Sequence, residues 1–124
     1  MTRIGSIINE LMFWIDKNLE SNLSVEVIAK KSGYHREHLQ KIFKKETGIT
    51  LGCYVRTQRL ARAAEELWVT DYAIRIISDR YQFDSQQTFS RVFKKHFCIT
   101  PSAYRKIRRS LSSTNTLNNY SQCN

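Results

Sequence analysis

The stretch FKKETGITLGCY at residues 43–54 returns as FKKHFCITPSAY at residues 93–104, displaced by 50 positions. A chain of 124 residues that repeats itself so closely builds two copies of one small unit rather than a single unrelated core. The repeat extends upstream. IAKKSGYHREHLQKIFKK at 28–45 aligns with ISDRYQFDSQQTFSRVFKK at 77–95 if the second copy carries one extra residue in its turn. Each copy has a short apolar-periodic segment, a tight turn near Gly33 or Gln82, and a second periodic segment of about three turns. This is the layout of a helix-turn-helix, in which the second helix enters the major groove and the first braces it.

Strand signals are almost absent, and one proline and four glycines punctuate stretches with apolar residues three to four apart. Ile4, Ile7, Ile8, Leu11, Trp14 and Ile15 form one face of a first helix. Ser24 is placed to cap a second helix carrying Val25, Ile28 and Ala29, which Gly33 closes. A helix from about Arg36 to Glu46 turns Leu39, Ile42 and Phe43 inward and ends at Gly48. Thr50 caps a longer helix to about Trp68, with Tyr54, Leu60, Ala63, Ala64 and Leu67 on its buried side. Thr70 is expected to cap a helix carrying Ile74, Ile76 and Ile77 that ends near Tyr81. Asp84 with Gln87 reads as a capping box for a helix burying Phe89, Val92, Phe93 and Phe97. Thr100 and Pro101 open a last helix to about Arg109. The expected fold is all-α: seven helices, two helix-turn-helix subdomains (about 25–46 and 73–96) and a long linker helix (about 50–68). The polar, aperiodic segment 110–124 is expected to be a disordered tail.

Charge points the same way. Twenty Lys and Arg stand against eleven Asp and Glu, a formal net charge of +9. Residues 85–109 hold seven cations (Arg91, Lys94, Lys95, Arg105, Lys106, Arg108, Arg109) and no acid. Residues 25–62 hold nine cations and three acids, whereas 1–24 and 63–84 together hold four and eight. The positive blocks are thus the repeated ones, which suits a polyanion. The N-terminus, MTRIGSIINELMFWIDKN, has acids within its first twenty residues and no long apolar run, so neither signal peptide nor membrane span is expected. Three cysteines, Cys53, Cys98 and Cys123, lack paired or zinc spacing. They argue against a disulfide framework and for a reducing, cytoplasmic setting.

Outward positions follow from the inward ones. On the helix from Arg36 they are Glu37, Gln40, Lys41 and Lys44; on the later helix, Gln86, Gln87, Ser90, Arg91 and Lys94. Gln bonds adenine at N6 and N7, Arg and Lys bond the O6/N7 edge of guanine, and Glu accepts from cytosine N4. Lys45, Lys95 and Arg56, joined by Arg36, Lys44 and Lys94, suit phosphates, which position without reading sequence. The linker would be about 28 Å long at ~1.5 Å per residue, near the ~34 Å between successive major grooves on one face of B-DNA. One chain is therefore expected to read an asymmetric site alone. A solvated charged face is the commoner meaning of one basic stripe, but two stripes in two such motifs narrow the choice. His35, Glu37 and His38 lack a third strong ligand, so no metal or other cofactor is expected. Cys53 is expected as a small filler in the core, and the aromatic set Phe43, Phe89, Phe93 and Phe97 as core as well. An enzyme is disfavoured, because no nucleophile–base pair or paired carboxylates share a cleft. An RNA binder or a polymerase adaptor is the rival among binding modules.

RTQRLARAAEEL, YQFDSQQTFSRVFKKHFCITPSAYR and SGYHREHLQKIFKKETGITLGCYVRTQR together resemble the DNA-binding domain of the AraC/XylS family of bacterial transcription regulators. The likeness spans about residues 6–108 and is strongest to the small stand-alone members of the MarA, SoxS, RamA and TetD type, which lack a small-molecule effector domain. It implies monomeric binding to double-stranded promoter DNA, contact with RNA polymerase and activation of stress or multidrug-resistance genes in the bacterial nucleoid. By position it puts Gln40 and Lys41, then Gln86, Gln87, Ser90 and Arg91, on bases. It puts Trp14 and Lys31 on the polymerase-facing surface. Three residues depart from its pattern: Glu37 stands where close relatives have Trp, and Gln82 and Cys98 where Gly is usual.

Overall fold

A computed structural model describes residues 3–114. Seven α-helices follow one another: α1 (Arg3–Asp16), α2 (Val25–Ser32), α3 (Arg36–Thr47), α4 (Leu51–Val69), α5 (Ile74–Arg80), α6 (Gln86–Phe97) and α7 (Pro101–Thr114). No strand occurs among the described residues. The all-α, seven-helix expectation holds. The chain divides between Arg59 and Leu60 into two compact units, so α4 gives its first half to one and its second half to the other.

In the first unit α1, α2 and α3 pack on one another. Ser24 accepts the Val27 N–H at 3.2 Å, and Gly33 closes α2 at φ 83°. Gly48 closes α3 at φ 85°, and Thr50 Oγ1 accepts the Cys53 N–H at 3.1 Å to start α4. These local signals work because each satisfies a backbone group that a helix end leaves without a partner. Ile15, Leu39 and Phe43 are fully buried, each such burial stabilising by about 1.5–3 kcal/mol. Leu19 and Leu23, between α1 and α2, are buried too. Ile4, expected on the α1 core face, is 38% exposed.

The second unit repeats the plan with different caps. Thr70 does not cap α5. Its hydroxyl donates to the Glu66 carbonyl at 2.6 Å, finishing α4, while the residue before α5 is Ala73, with no side-chain cap. Nor does Asp84 cap α6. Ser85 does, accepting the Thr88 N–H at 3.1 Å. Phe83 packs on Phe89 with ring centroids 5.0 Å apart, and this staple-like contact sets where the chain enters the helix. Ile77, Phe89 and Phe93 are fully buried, but Ile76 is 42% exposed. Phe97 is only half-buried, its ring 4.5 Å from that of Phe93. Thr100 caps α7 through the Ala103 N–H at 3.1 Å.

Gln82 (φ 67°) and Cys98 (φ 70°) both adopt the left-handed conformation that glycine accepts most readily. Helix α7 runs past Arg109, and Leu111 is buried, so 110–114 are helical rather than a loose tail. The remainder of the expected tail, 115–124, lies outside the described residues. Cys53 is exposed and free, not a core filler.

Candidate nucleic-acid interface

In α3 the inward residues Leu39, Ile42 and Phe43 fix the opposite face by helical geometry. Glu37, Gln40, Lys41 and Lys44 make one exposed stripe on it, at spacings of three, one and three. Arg36 and Lys45 flank the stripe and are also exposed. Arg36 pairs with Glu26 of α2, tying the bracing helix to the start of α3. Both partners are more than half exposed, so this pair adds little stability and leaves the guanidinium within reach of another anion. Lys44 Nζ donates to the Gly48 carbonyl at 3.1 Å, reinforcing the end of α3.

In α6 the arrangement recurs. Phe89 and Phe93 point inward, and Gln86, Gln87, Arg91, Lys94 and Lys95 are exposed. Ser90 is half-buried, so of the expected base-reading set it stands least free of the protein surface. Arg56, on α4, is exposed. Trp14 and Lys31 are brought together: Lys31 Nζ lies 5.6 Å from the centre of the Trp14 ring, a cation–π contact across α1 and α2.

Not every cation of the basic blocks faces outward. Arg105 is 8% exposed. Its Nε donates to the Leu67 carbonyl at 3.2 Å, Nη1 to that of Tyr72 at 2.6 Å and Nη2 to that of Thr70 at 3.1 Å. Burial, and then the charges of Arg108 and Arg109, pull its pKa below the usual guanidinium value, against the opposing effect of Asp71. Arg108 donates to the Trp68 carbonyl at 2.7 Å and to Asp71 at 3.0 Å, and Arg109 lies 3.8 Å from the same carboxylate. Three of the seven cations in 85–109 are therefore engaged within the protein, leaving Arg91, Lys94, Lys95 and Lys106 for an outside partner.

The first unit uses the same device. Arg59 donates to the carbonyls of Leu19 at 3.0 Å and Ser21 at 2.7 Å, and burial lowers its pKa. Tyr54 donates to Asp16 at 2.9 Å, where Gln58 joins it at 3.1 Å. Burial, the hydrogen bond and the Asp16 charge all raise the Tyr54 pKa. So in each unit the helix after the exposed stripe holds the C-terminal end of an earlier long helix, α1 or α4. Sequence reasoning counted Arg59, Arg105 and Arg108 among the cations of the basic blocks and missed the role. Arg105 lies one turn after the buried Pro101, on the same side of α7.

Among the described residues no group of three His, Cys, Asp or Glu side chains is placed to hold a metal ion. Among the same residues no helix is long and apolar enough to cross a membrane.

A helix-turn-helix domain family matches residues 28–107, both copies of the repeat. The chain is 47% identical over 101 residues to the HTH-type transcriptional activator AarP of Providencia stuartii, covering 82% of this chain and 75% of that protein. It is 44% identical over 98 residues to the multiple antibiotic resistance protein MarA of Escherichia coli, covering 79% and 77%. The chain belongs to the AraC-type helix-turn-helix family. The members of this family are DNA-binding transcription regulators, and the chain is one of these rather than an enzyme. The fold agrees. A crystal structure of an AraC-type regulator from Chromobacterium violaceum superposes with a TM-score of 0.78 at 32% identity, covering 83% of this chain and 92% of that one.

Proposed function

We propose that the chain activates transcription by binding an asymmetric promoter site as a monomer, with α3 and α6 in successive major grooves. The carrying observation is that both helices following a tight turn present a largely exposed polar stripe opposite an apolar one anchored by fully buried residues, Leu39 and Phe43 in α3, Phe89 and Phe93 in α6. Glu37, Gln40 and Lys41 of α3, and Gln86, Gln87, Ser90 and Arg91 of α6, read base edges. Arg36, Lys44, Lys45, Arg56, Lys94 and Lys95 hold phosphates. In this reading residues 6–108 are the DNA-binding region, with helix-turn-helix segments at about 25–46 and 73–96.

Recruitment of RNA polymerase is the step that turns binding into activation. The Trp14–Lys31 pair, an aromatic and a cation already in contact on one surface, is where this reading puts that contact. The setting is the bacterial cytoplasm and nucleoid. The names of AarP and MarA support activation and an antibiotic-resistance regulon; the extension to stress genes rests on the resemblance alone.

Selection of bound duplexes from a random pool, followed by footprinting and sedimentation of the complex, tests the reading. The expected outcome is a non-palindromic site protected on one face over two helical turns, with one protein per duplex. A palindromic site bound by two chains, or protection of a single groove, overturns it. Preference for RNA, or equal affinity for all duplexes, overturns sequence reading altogether.

A further inference from the structure

The two exposed stripes differ in one respect that bears on which bases each prefers. That of α6 contains no acid. That of α3 begins with Glu37, in the first turn, at the end of the helix that reaches deepest toward base edges. Glu37, Gln40 and Lys41 are all exposed, and beyond the helix's own backbone bonds the side chain of none makes a hydrogen bond or ion pair with another described residue. In particular Glu37 is not joined to Lys41, its neighbour one turn on, or to Arg36, whose partner is Glu26. The carboxylate is therefore uncommitted.

Building on the DNA-binding reading above, we infer that Glu37 selects cytosine at one position of the half-site bound by α3. A carboxylate only accepts hydrogen bonds. In the major groove guanine presents the acceptors N7 and O6 at its edge, and thymine the acceptor O4, so both repel it. Adenine offers an N6 donor but sets the N7 acceptor beside it, against the second carboxylate oxygen. Cytosine offers the N4 amino group and presents no acceptor of its own, the nearest being O6 of the paired guanine on one side only. Lys41 stands four residues on, about 6 Å along the helix at ~1.5 Å per residue. It reaches a guanine edge within about two base-pair steps at ~3.4 Å each.

Glu37 also carries a cost. Negative charge among Arg36, Lys41, Lys44 and Lys45 weakens attraction to every phosphate chain alike, whatever the sequence. The residue thus trades general affinity for discrimination, and its removal moves the two in opposite directions. A carboxylate that merely complements the helix dipole behaves differently. Its loss lowers stability and leaves base preference alone.

The test is selection from random duplexes with the full chain and with Glu37→Gln, Glu37→Ala and Glu37→Asp. The unaltered chain is expected to enrich cytosine at one position of one half-site, roughly 5- to 150-fold over the other bases. Glu37→Gln shifts that position to adenine, and Glu37→Ala flattens it. Glu37→Asp keeps the charge in the first turn but retracts the carboxylate by one methylene, and weakens the preference. Affinity of Glu37→Gln for random-sequence duplex rises. A profile at that position that is unchanged in Glu37→Gln, or that never held cytosine, overturns the inference while leaving sequence-specific binding intact. If the unaltered chain enriches no sequence, the DNA-reading proposal itself falls, and this inference with it.

Discussion

Replacing Arg105 by methionine separates two accounts of a cation that charge counting assigns to DNA. In the structure its guanidinium is enclosed and spans the last turn of α4 and the segment leading to α5, donating to the carbonyls of Leu67, Thr70 and Tyr72. Methionine retains the apolar stem, so the packing of the methylene chain survives. What is lost is three donors. The Leu67 carbonyl is buried in this contact and is left without a partner, at a cost of about 1–3 kcal/mol. The bonds to Thr70 and Tyr72 are only partly buried, so water replaces them in part and each loss is nearer ~0.5–1.5 kcal/mol.

The sum is about 4 kcal/mol, from a range of about 2–6, a large share of the ~5–15 kcal/mol that stabilises an ordinary domain. For a chain of this size the melting temperature should drop by about 10–20 °C. Urea unfolding followed by circular dichroism measures the loss. Below the new midpoint, where the variant is folded, its salt dependence of duplex binding should match that of the unaltered chain. The converse result refutes the reasoning: stability within about 1 kcal/mol of the parent, with a shallower slope of log affinity against log salt, makes Arg105 a phosphate ligand.

Arg91→Ala should relax preference at one base pair by about 1–3 kcal/mol, whereas Lys95→Ala should weaken binding to all duplexes alike and shallow the salt slope; competition with single-base variants of the site tells them apart. Gln82→Gly should gain roughly 0.5 kcal/mol, because removing a left-handed penalty of ~1–2 kcal/mol outweighs the added freedom of the unfolded chain. Gln82→Ala, which keeps a Cβ, should gain nothing in the same denaturant titration. Tyr54 titrates later in the folded protein than in the unfolded one, so its contribution is complete below the unfolded pKa of ~10 and is lost as pH rises through the higher folded value. Stability measured between pH 9 and 11.5 should therefore fall at the alkaline end, and Tyr54→Phe should fall less.

Helix ends were legible wherever one residue completes the cap with its own chemistry, as Ser24, Gly33, Gly48, Thr50 and Thr100 do. They were misjudged where two neighbours satisfied the same rule, and at Thr70, whose hydroxyl finishes α4 while α5 starts after Ala73 with no side-chain cap. Asp84 and Ser85 both precede a helix, and the choice rests on Phe83 meeting Phe89, a packing event rather than a local preference. Cys53 was misplaced although the spacing of Leu51, Tyr54 and Val55 already fills the inward positions of that turn. Arg105 was misplaced because its acceptors lie 33 to 38 residues away, and composition carries no record of carbonyls that a fold will bring near.

The stripes of α3 and α6 were legible because an exposed face is whatever the core leaves over. Aligning the two copies at Phe43 and Phe93 shows how the residues divide. The inward positions stay apolar: Leu39 with Phe89, Ile42 with Val92, Phe43 with Phe93. Two outward cations are identical, Lys44 with Lys94 and Lys45 with Lys95. The remaining outward positions differ: Arg36 against Gln86, Glu37 against Gln87, Gln40 against Ser90, Lys41 against Arg91. A phosphate presents the same target at every step, so the residues that hold it have no physical reason to diverge. Base edges change from step to step, and residues that read them diverge when the two half-sites do. The identity of Lys44 with Lys94 and of Lys45 with Lys95 is what the proposed division into positioning and reading residues predicts, although Arg36 against Gln86 does not follow it. That division also predicts that a duplex carrying the α6 half-site twice, in tandem, binds more weakly than the natural pairing by the discrimination of the α3 stripe alone. Equal affinity for the two duplexes would show that α3 contributes charge and no sequence.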